Sequence, residues 1–240
     1  MKSNTSLFLY GTHPCVAALK NPKRIVEKVF VTHMSTIADL PIGKTKVECV
    51  DKKILEAKLP AGAVHQGIAL QVQPLPVYSL DELEDLQENA CVVVLDQVTD
   101  PHNVGAIIRS AAVFGACCVV VPERYAPKET GVLAKSASGA LELVPLCHVK
   151  NLSQAIKTLQ SFGFWTVGFA ETGTKTLNDI DLKGKIALVL GAEGDGMRRL
   201  TKEMCDFFVR LPTSENFSTL NVSNAAAIAL YERFRQAQCP

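Results

Sequence analysis

Three stretches of this 240-residue chain combine side chains that can hold an anion or a hydroxyl with backbone that can turn sharply. The first runs Asp100-Pro101-His102-Asn103-Val104-Gly105-Ala106-Ile107-Ile108-Arg109, just after an apolar run ending in Val94-Leu95-Asp96. Asn103 is a natural helix N-cap, and Gly105 allows a tight turn or close approach to a ligand. Arg109 can fork two hydrogen bonds to a phosphate or a ribose. A surface arginine on an amphipathic helix is the plainer reading of the same residue. The second stretch, Leu190-Gly191-Ala192-Glu193-Gly194-Asp195-Gly196-Met197, sets three glycines between a strand and a helix. Their spacing is not that of the dinucleotide fingerprint, so the turn favours an adenosine ligand over a dinucleotide. Glu193 can order a basic residue or a substrate hydroxyl, or serve only as a turn carboxylate. The third leads from Leu211-Pro212 through a polar loop to Leu220-Asn221-Val222-Ser223 at the head of an Ala-rich run. Asn221 and Ser223 read singly are helix caps. Three such loops in one sheet exceed structural punctuation.

The elements that must position these loops alternate regularly. Apolar runs at 91–95, 117–121, 144–149, 165–169, 186–190 and 207–211 read as buried strands. Helical patterns fall at 104–114, 130–139, 152–161, 197–203 and 223–236. This alternation predicts an α/β domain over 91–240, a mostly parallel sheet covered on both faces, with ligands beyond the carboxyl ends of its strands. Upstream, helical patterns at 16–20 and 51–58 alternate with strands at 28–32 and 67–72, which fits a small α/β unit over 1–76. The acidic stretch 77–90, opening after Pro74-Leu75-Pro76, reads as the linker.

Composition narrows the class. With 48% hydrophobic and 20% charged residues the chain can build an ordinary core. It has no apolar run long enough to span a membrane and no basic-then-apolar leader, so a cytoplasmic location is expected. The eight cysteines form no C-x-x-C pair, which predicts reduced thiols and no metal. Net charge is only +1, but residues 1–76 carry ten Lys/Arg against five Asp/Glu, while 91–240 is nearly balanced. A basic N-terminal end suits an anionic partner such as RNA, with Lys20, Lys23 and Arg24 as candidate contacts.

Taken together, the three loops resemble the SpoU/TrmH family of SPOUT RNA ribose 2′-O-methyltransferases. Asn103, Gly105 and Arg109 match its first motif, Leu190-Gly191-Ala192-Glu193-Gly194-Asp195-Gly196-Met197 its second, and Leu211-Pro212 through Leu220-Asn221-Val222-Ser223 its third. Leu9-Tyr10-Gly11-Thr12-His13-Pro14 and His65-Gln66-Gly67 resemble the substrate-binding domain of the bacterial members that methylate a guanosine in 23S ribosomal RNA. The resemblance implies a small domain like RNA-binding ribosomal proteins, then a sheet with a deep trefoil knot that binds S-adenosylmethionine, in a homodimer. It implies that Arg109 is catalytic, aided by Asn103, Glu193 and Asn221. Gly191, Leu211 and Leu220 would hold the cofactor, and Thr219, in place of the usual serine, would face substrate. Glu215 departs from the family's usual glycine. Alternatives are a transfer RNA ribose methyltransferase and a non-catalytic RNA-binding assembly protein. A nicotinamide oxidoreductase would need a glycine fingerprint after an early strand, which is missing.

Overall fold

The computed structural model describes residues 7–214, 216 and 219–238; Glu215 and Cys239 lie outside the described residues. Along the chain run β1 (Leu7–Tyr10), α1 (Thr12–Lys20), β2 (Val26–Val31), β3 (Lys46–Cys49), α2 (Lys52–Glu56), β4 (Ile68–Val72), β5 (Cys91–Asp96), α3 (Pro101–Val113) and β6 (Cys118–Pro122). These are followed by α4 (Gly131–Ala137), β7 (Leu146–Val149), α5 (Leu152–Ser161), β8 (Trp165–Phe169), β9 (Lys175–Thr176), β10 (Ile186–Gly191), α6 (Arg199–Met204), β11 (Phe207–Arg210) and α7 (Val222–Gln238). The expected strands and helices are present to within a few residues at their ends. β1, β3 and β9 were not expected.

Two compact units divide the chain, Met1–Pro76 with Pro127–Leu143, and Val77–Ala126 with Val144–Pro240. The second contains a seven-stranded sheet of order β7-β6-β5-β10-β8-β11-β9 in which every pairing is parallel. All six residues of β5 are buried, as a central parallel strand covered on both faces requires. Val92, Val94, Val120, Ile156, Leu159 and Val189 form one continuous cluster there, so α5 seals one face of β5, β6 and β10.

The first unit holds a four-stranded sheet of order β1-β4-β2-β3. Tyr10, Phe30, Leu55, Leu59 and Ala69 form its smaller core. α4 belongs to this unit although its sequence lies between β6 and β7. It packs so closely on β1 that a Cβ on Gly131 would stand 2.4 Å from the Phe8 carbonyl oxygen and 2.6 Å from the Tyr10 ring. The 91–240 range expected from sequence therefore contains an arm, Pro127–Leu143, that clusters with the N-terminal unit.

Arg24 fastens that arm. Its Nη1 donates to Glu129 Oε1 at 2.5 Å and to the Gln73 carbonyl at 2.9 Å, and its Nη2 donates to Glu142 Oε1 at 2.6 Å. Asn21 Nδ2 adds a bond to Glu142 Oε2 at 2.7 Å, and the Leu75 amide donates to Glu129 Oε2 at 2.9 Å. The Arg24 side chain has no solvent exposure. Its expected role as an RNA contact is therefore corrected: its hydrogen bonds are spent inside the unit.

The seven described cysteines are free thiols. Burial pushes those of Cys15, Cys91 and Cys205 up to about 12, which leaves them protonated and unreactive. Among the described residues no helix is long and apolar enough to cross a membrane, and no group of three or more His, Cys, Asp or Glu side chains could hold a metal ion.

Removing one member of a buried charge network strands its partners in low dielectric. Arg24→Ala should therefore lower stability by about 3–5 kcal/mol, read by chemical denaturation. Lys23→Ala, at an exposed neighbour, should stay within about 0.5 kcal/mol.

Candidate active site

The parallel sheet brings the carboxyl ends of β8, β10 and β11 together, and the segments beyond them enclose a cavity of about 510 Å³. Phe169 to Thr172 form one wall after β8, Leu190 to Met197 the second after β10, and Arg210, Leu211 and Thr213 the third after β11. Thr219, Leu220, Val222 and Ala225 complete it at the entry to α7. Gly191, Leu211 and Leu220, expected to hold a cofactor, all line this space, as do Glu193 and Thr219.

Gly191 is required by space. It is the last residue of β10, in register with Asp96 of β5, and a Cβ there would stand 2.1 Å from the Gly196 carbonyl carbon and 2.2 Å from the Met197 nitrogen. The chain doubles back across it: Ala192 and Gly196 exchange backbone hydrogen bonds of 3.1 and 2.9 Å. Gly196 closes that turn at φ 65°, a left-handed conformation suited to glycine.

Polar side chains from all three motifs meet beside the cavity. Asn221 Oδ1 accepts from the Ser223 amide at 2.9 Å and from Ser223 Oγ at 2.6 Å, which fixes the amide plane against the start of α7. Its Nδ2 then donates to Asn103 Oδ1 at 3.1 Å and, more weakly, to Glu193 Oε2 at 3.4 Å. The capping and site readings of Asn221 thus hold together, one side-chain atom for each. Asn103 itself does not cap α3. Asp100 does, accepting from the His102 amide at 2.9 Å with Pro101 at the first helical position, so Asn103 lies inside the first turn. That correction places the Asn103 side chain where it can reach Asn221 across the strand ends.

Arg109 lies six residues beyond Asn103 on α3, about 9 Å along the axis and on another face. It is exposed, and among the described residues its guanidinium has no hydrogen-bond or ion-pair partner. The structure therefore brings Asn103, Glu193 and Asn221 together and leaves Arg109 outside that cluster. Lys20 and Lys23 are exposed on the first unit.

Sequence reasoning passed over Asp96 and Arg198. Asp96 is wholly buried at the end of β5, and its carboxylate accepts from the Arg198 amide at 2.8 Å and from Arg198 Nε at 2.7 Å. A carboxylate ending an otherwise apolar strand was the available signal.

Over this sheet and the three glycine- and asparagine-bearing loops gathered at one end of it, the model described as the SpoU rRNA Methylase family matches residues 90–231. The chain belongs to that family. A second model, described as RNA 2′-O ribose methyltransferase substrate binding, matches residues 8–78. Among particular relatives, the 23S rRNA (guanosine-2′-O-)-methyltransferase RlmB of Pasteurella multocida is 41% identical, covering 95% of this chain and 97% of its own. The RlmB of Haemophilus influenzae is 40% identical over the same shares. Of solved structures, the SpoU methyltransferase AviRb from Streptomyces viridochromogenes, in complex with AdoMet, superposes with a TM-score of 0.85 at 24% identity, over 96% of this chain and 90% of that one. The SPOUT-type fold is thereby shown.

Gly191→Ala puts a methyl group where backbone already stands, so the 192–197 turn must move. Titration calorimetry should find S-adenosylmethionine affinity at least tenfold weaker, while Gly194→Ala, whose Cβ meets nothing within 4 Å but whose φ of 84° is strained, should lose less.

Proposed function

We propose that this chain transfers a methyl group from S-adenosylmethionine to the ribose 2′-hydroxyl of a guanosine in 23S ribosomal RNA. The observation that carries the reading is the meeting of Asn103, Glu193 and Asn221 beside a cavity walled by the second and third motifs. The cavity suits the cofactor. Its volume of about 510 Å³ lies in the range of small-molecule sites. Leu190, Met197, Val222 and Ala225 offer apolar surface to an adenine, and main chain at Gly191, Leu211 and Leu220 offers it hydrogen bonds. Full-length relatives at about 40% identity that carry the guanosine name support the substrate.

When bound, S-adenosylmethionine supplies an electrophilic methyl group on a positively charged sulfur. The chain's own residues must hold the ribose hydroxyl in line with it and stabilise the oxygen as its proton passes to water and S-adenosylhomocysteine departs. Arg109 serves as a cation: guanidinium stays protonated in proteins, so it steadies the forming alkoxide and grips the neighbouring phosphate. Asn103, Glu193 and Asn221 orient the ribose, and Thr219 offers a hydroxyl from the cavity rim. Lys20 and Lys23, both exposed at the surface, contribute RNA affinity from the first unit. Action on ribosomal RNA makes the chain cytoplasmic.

The trefoil knot implied by the family belongs to the same proposal. It is supported by one main-chain pass between segments distant in sequence, at Gly173, where a Cβ would stand 2.5 Å from the Val209 carbonyl carbon. A homodimer is supported by apolar side chains left exposed on the packed pair α3 and α7: Val113 at 66%, Ile228 at 45% and Tyr231 at 53%. Tyr231→Glu should turn a sedimenting dimer into monomer.

Ribose-methylation mapping of a deletion strain should show one guanosine of 23S ribosomal RNA unmethylated and transfer RNA unchanged. A lost transfer RNA methylation with intact 23S RNA would overturn the substrate. Arg109→Ala should cut single-turnover methylation by about 10²–10³-fold. Its S-adenosylmethionine affinity should remain within threefold of wild type, because every cavity residue is untouched.

A further inference from the structure

The loop that forms the second cavity wall is fastened at both ends by residues of the β5–α3 segment. On its open side, Glu193 meets Asn221, which in turn holds Asn103. On its buried side, Arg198 closes on Asp96. The carboxylate of Asp96 has no solvent exposure, and one oxygen accepts the Arg198 backbone amide at 2.8 Å while the other accepts Nε at 2.7 Å and forms an ion pair with Nη2, also at 2.7 Å. The Arg198 side chain is half exposed, so its guanidinium is not needed to fill the core. Gln97, the next residue, stands in a left-handed conformation at φ 62° and sends Nε2 to the Gly196 carbonyl at 3.4 Å.

We propose that Asp96 and Arg198 are positioning residues for the cofactor: their ion pair holds the 192–197 turn in the shape that makes the cavity wall. The inference rests on the assignment of this cavity to S-adenosylmethionine. A buried carboxylate must be paired, and among the described residues Arg198 alone supplies its charge partner. The turn therefore cannot drift from the end of β5 without uncovering Asp96. Gly194 and Gly196, both at positive φ, give the turn little rigidity of its own. Binding that must first order a loosened wall is weakened by the fraction of time the wall is formed.

The test compares Arg198→Met, Asp96→Asn and their combination, with Gly191→Ala as the reference for the cavity itself. Arg198→Met keeps the backbone bond to Asp96 and removes the guanidinium. It should weaken S-adenosylmethionine and S-adenosylhomocysteine at least tenfold, with kcat at saturating cofactor falling less than threefold. Hydrogen exchange of the 192–197 amides in the cofactor-free protein should accelerate, and cofactor should suppress it. Arg198→Lys should recover part of the affinity, because it restores charge without the fork. The double variant should bind no worse than the weaker single one, as partners in one pair require. If Asp96→Asn does not fold, Arg198→Met decides alone. Cofactor affinity within twofold of wild type in Arg198→Met, with Gly191→Ala strongly weakened, overturns the clamp and leaves the cavity assignment standing. Wild-type affinity in Gly191→Ala as well would overturn both.

Discussion

The slot between β5 and β8 governs this structure. Both strands are central and apolar, and neither can leave a backbone edge unpaired inside the sheet, where each orphaned group costs roughly 1–3 kcal/mol. β10 fills the slot, pairing with β5 along its whole length and with β8 over four residues. Because β10 runs parallel to β5 and in register with it, its carboxyl end comes to rest beside that of β5, with Gly191 opposite Asp96. The first and second motifs become neighbours through this pairing. β11, on the far side of β8, brings in the third.

Much of the large sheet was legible because its strands are uninterrupted apolar runs. Val92-Val93-Val94-Leu95, Val119-Val120-Val121 and Ile186-Ala187-Leu188-Val189-Leu190 admit few other readings. The order of those strands was not legible: periodicity says which segments are buried and nothing about which lie side by side. The three loops were legible by composition, but the division of labour within them was not. Asp100 and Asn103 are both good caps, and Pro101 at the first helical position decides between them. Once Asn103 is moved inside the helix, its amide is available to Asn221.

Charge misled where burial was decisive. Lys20, Lys23 and Arg24 read alike as candidate RNA contacts, yet only the two lysines are exposed, while Arg24 faces Glu129 and Glu142 from a position with no access to water. Those acids lie more than a hundred residues away, beyond the reach of any local pattern. Asp96 is the converse case. It read as the polar end of a strand, and only the return of the chain at Arg198 shows why a carboxylate can be buried there.

The arm at Pro127–Leu143 separates the order in which this chain is made from the order in which it can finish folding. The four-stranded sheet is complete in sequence by Val72, yet Gly131 must still dock against Tyr10, and Glu142 must still reach Arg24 across 118 residues. At the ribosome's pace of about 5–20 residues per second, the sheet waits several seconds for its last helix. During that interval β5 and β6, which belong to the other sheet, emerge before their outer partners, β10 for β5 and β7 for β6, exist. Two unfinished cores are thus exposed together during synthesis, and the N-terminal unit closes only after part of the catalytic half has been translated. A nascent chain stalled shortly before Glu129 would carry Arg24 with neither of its carboxylates.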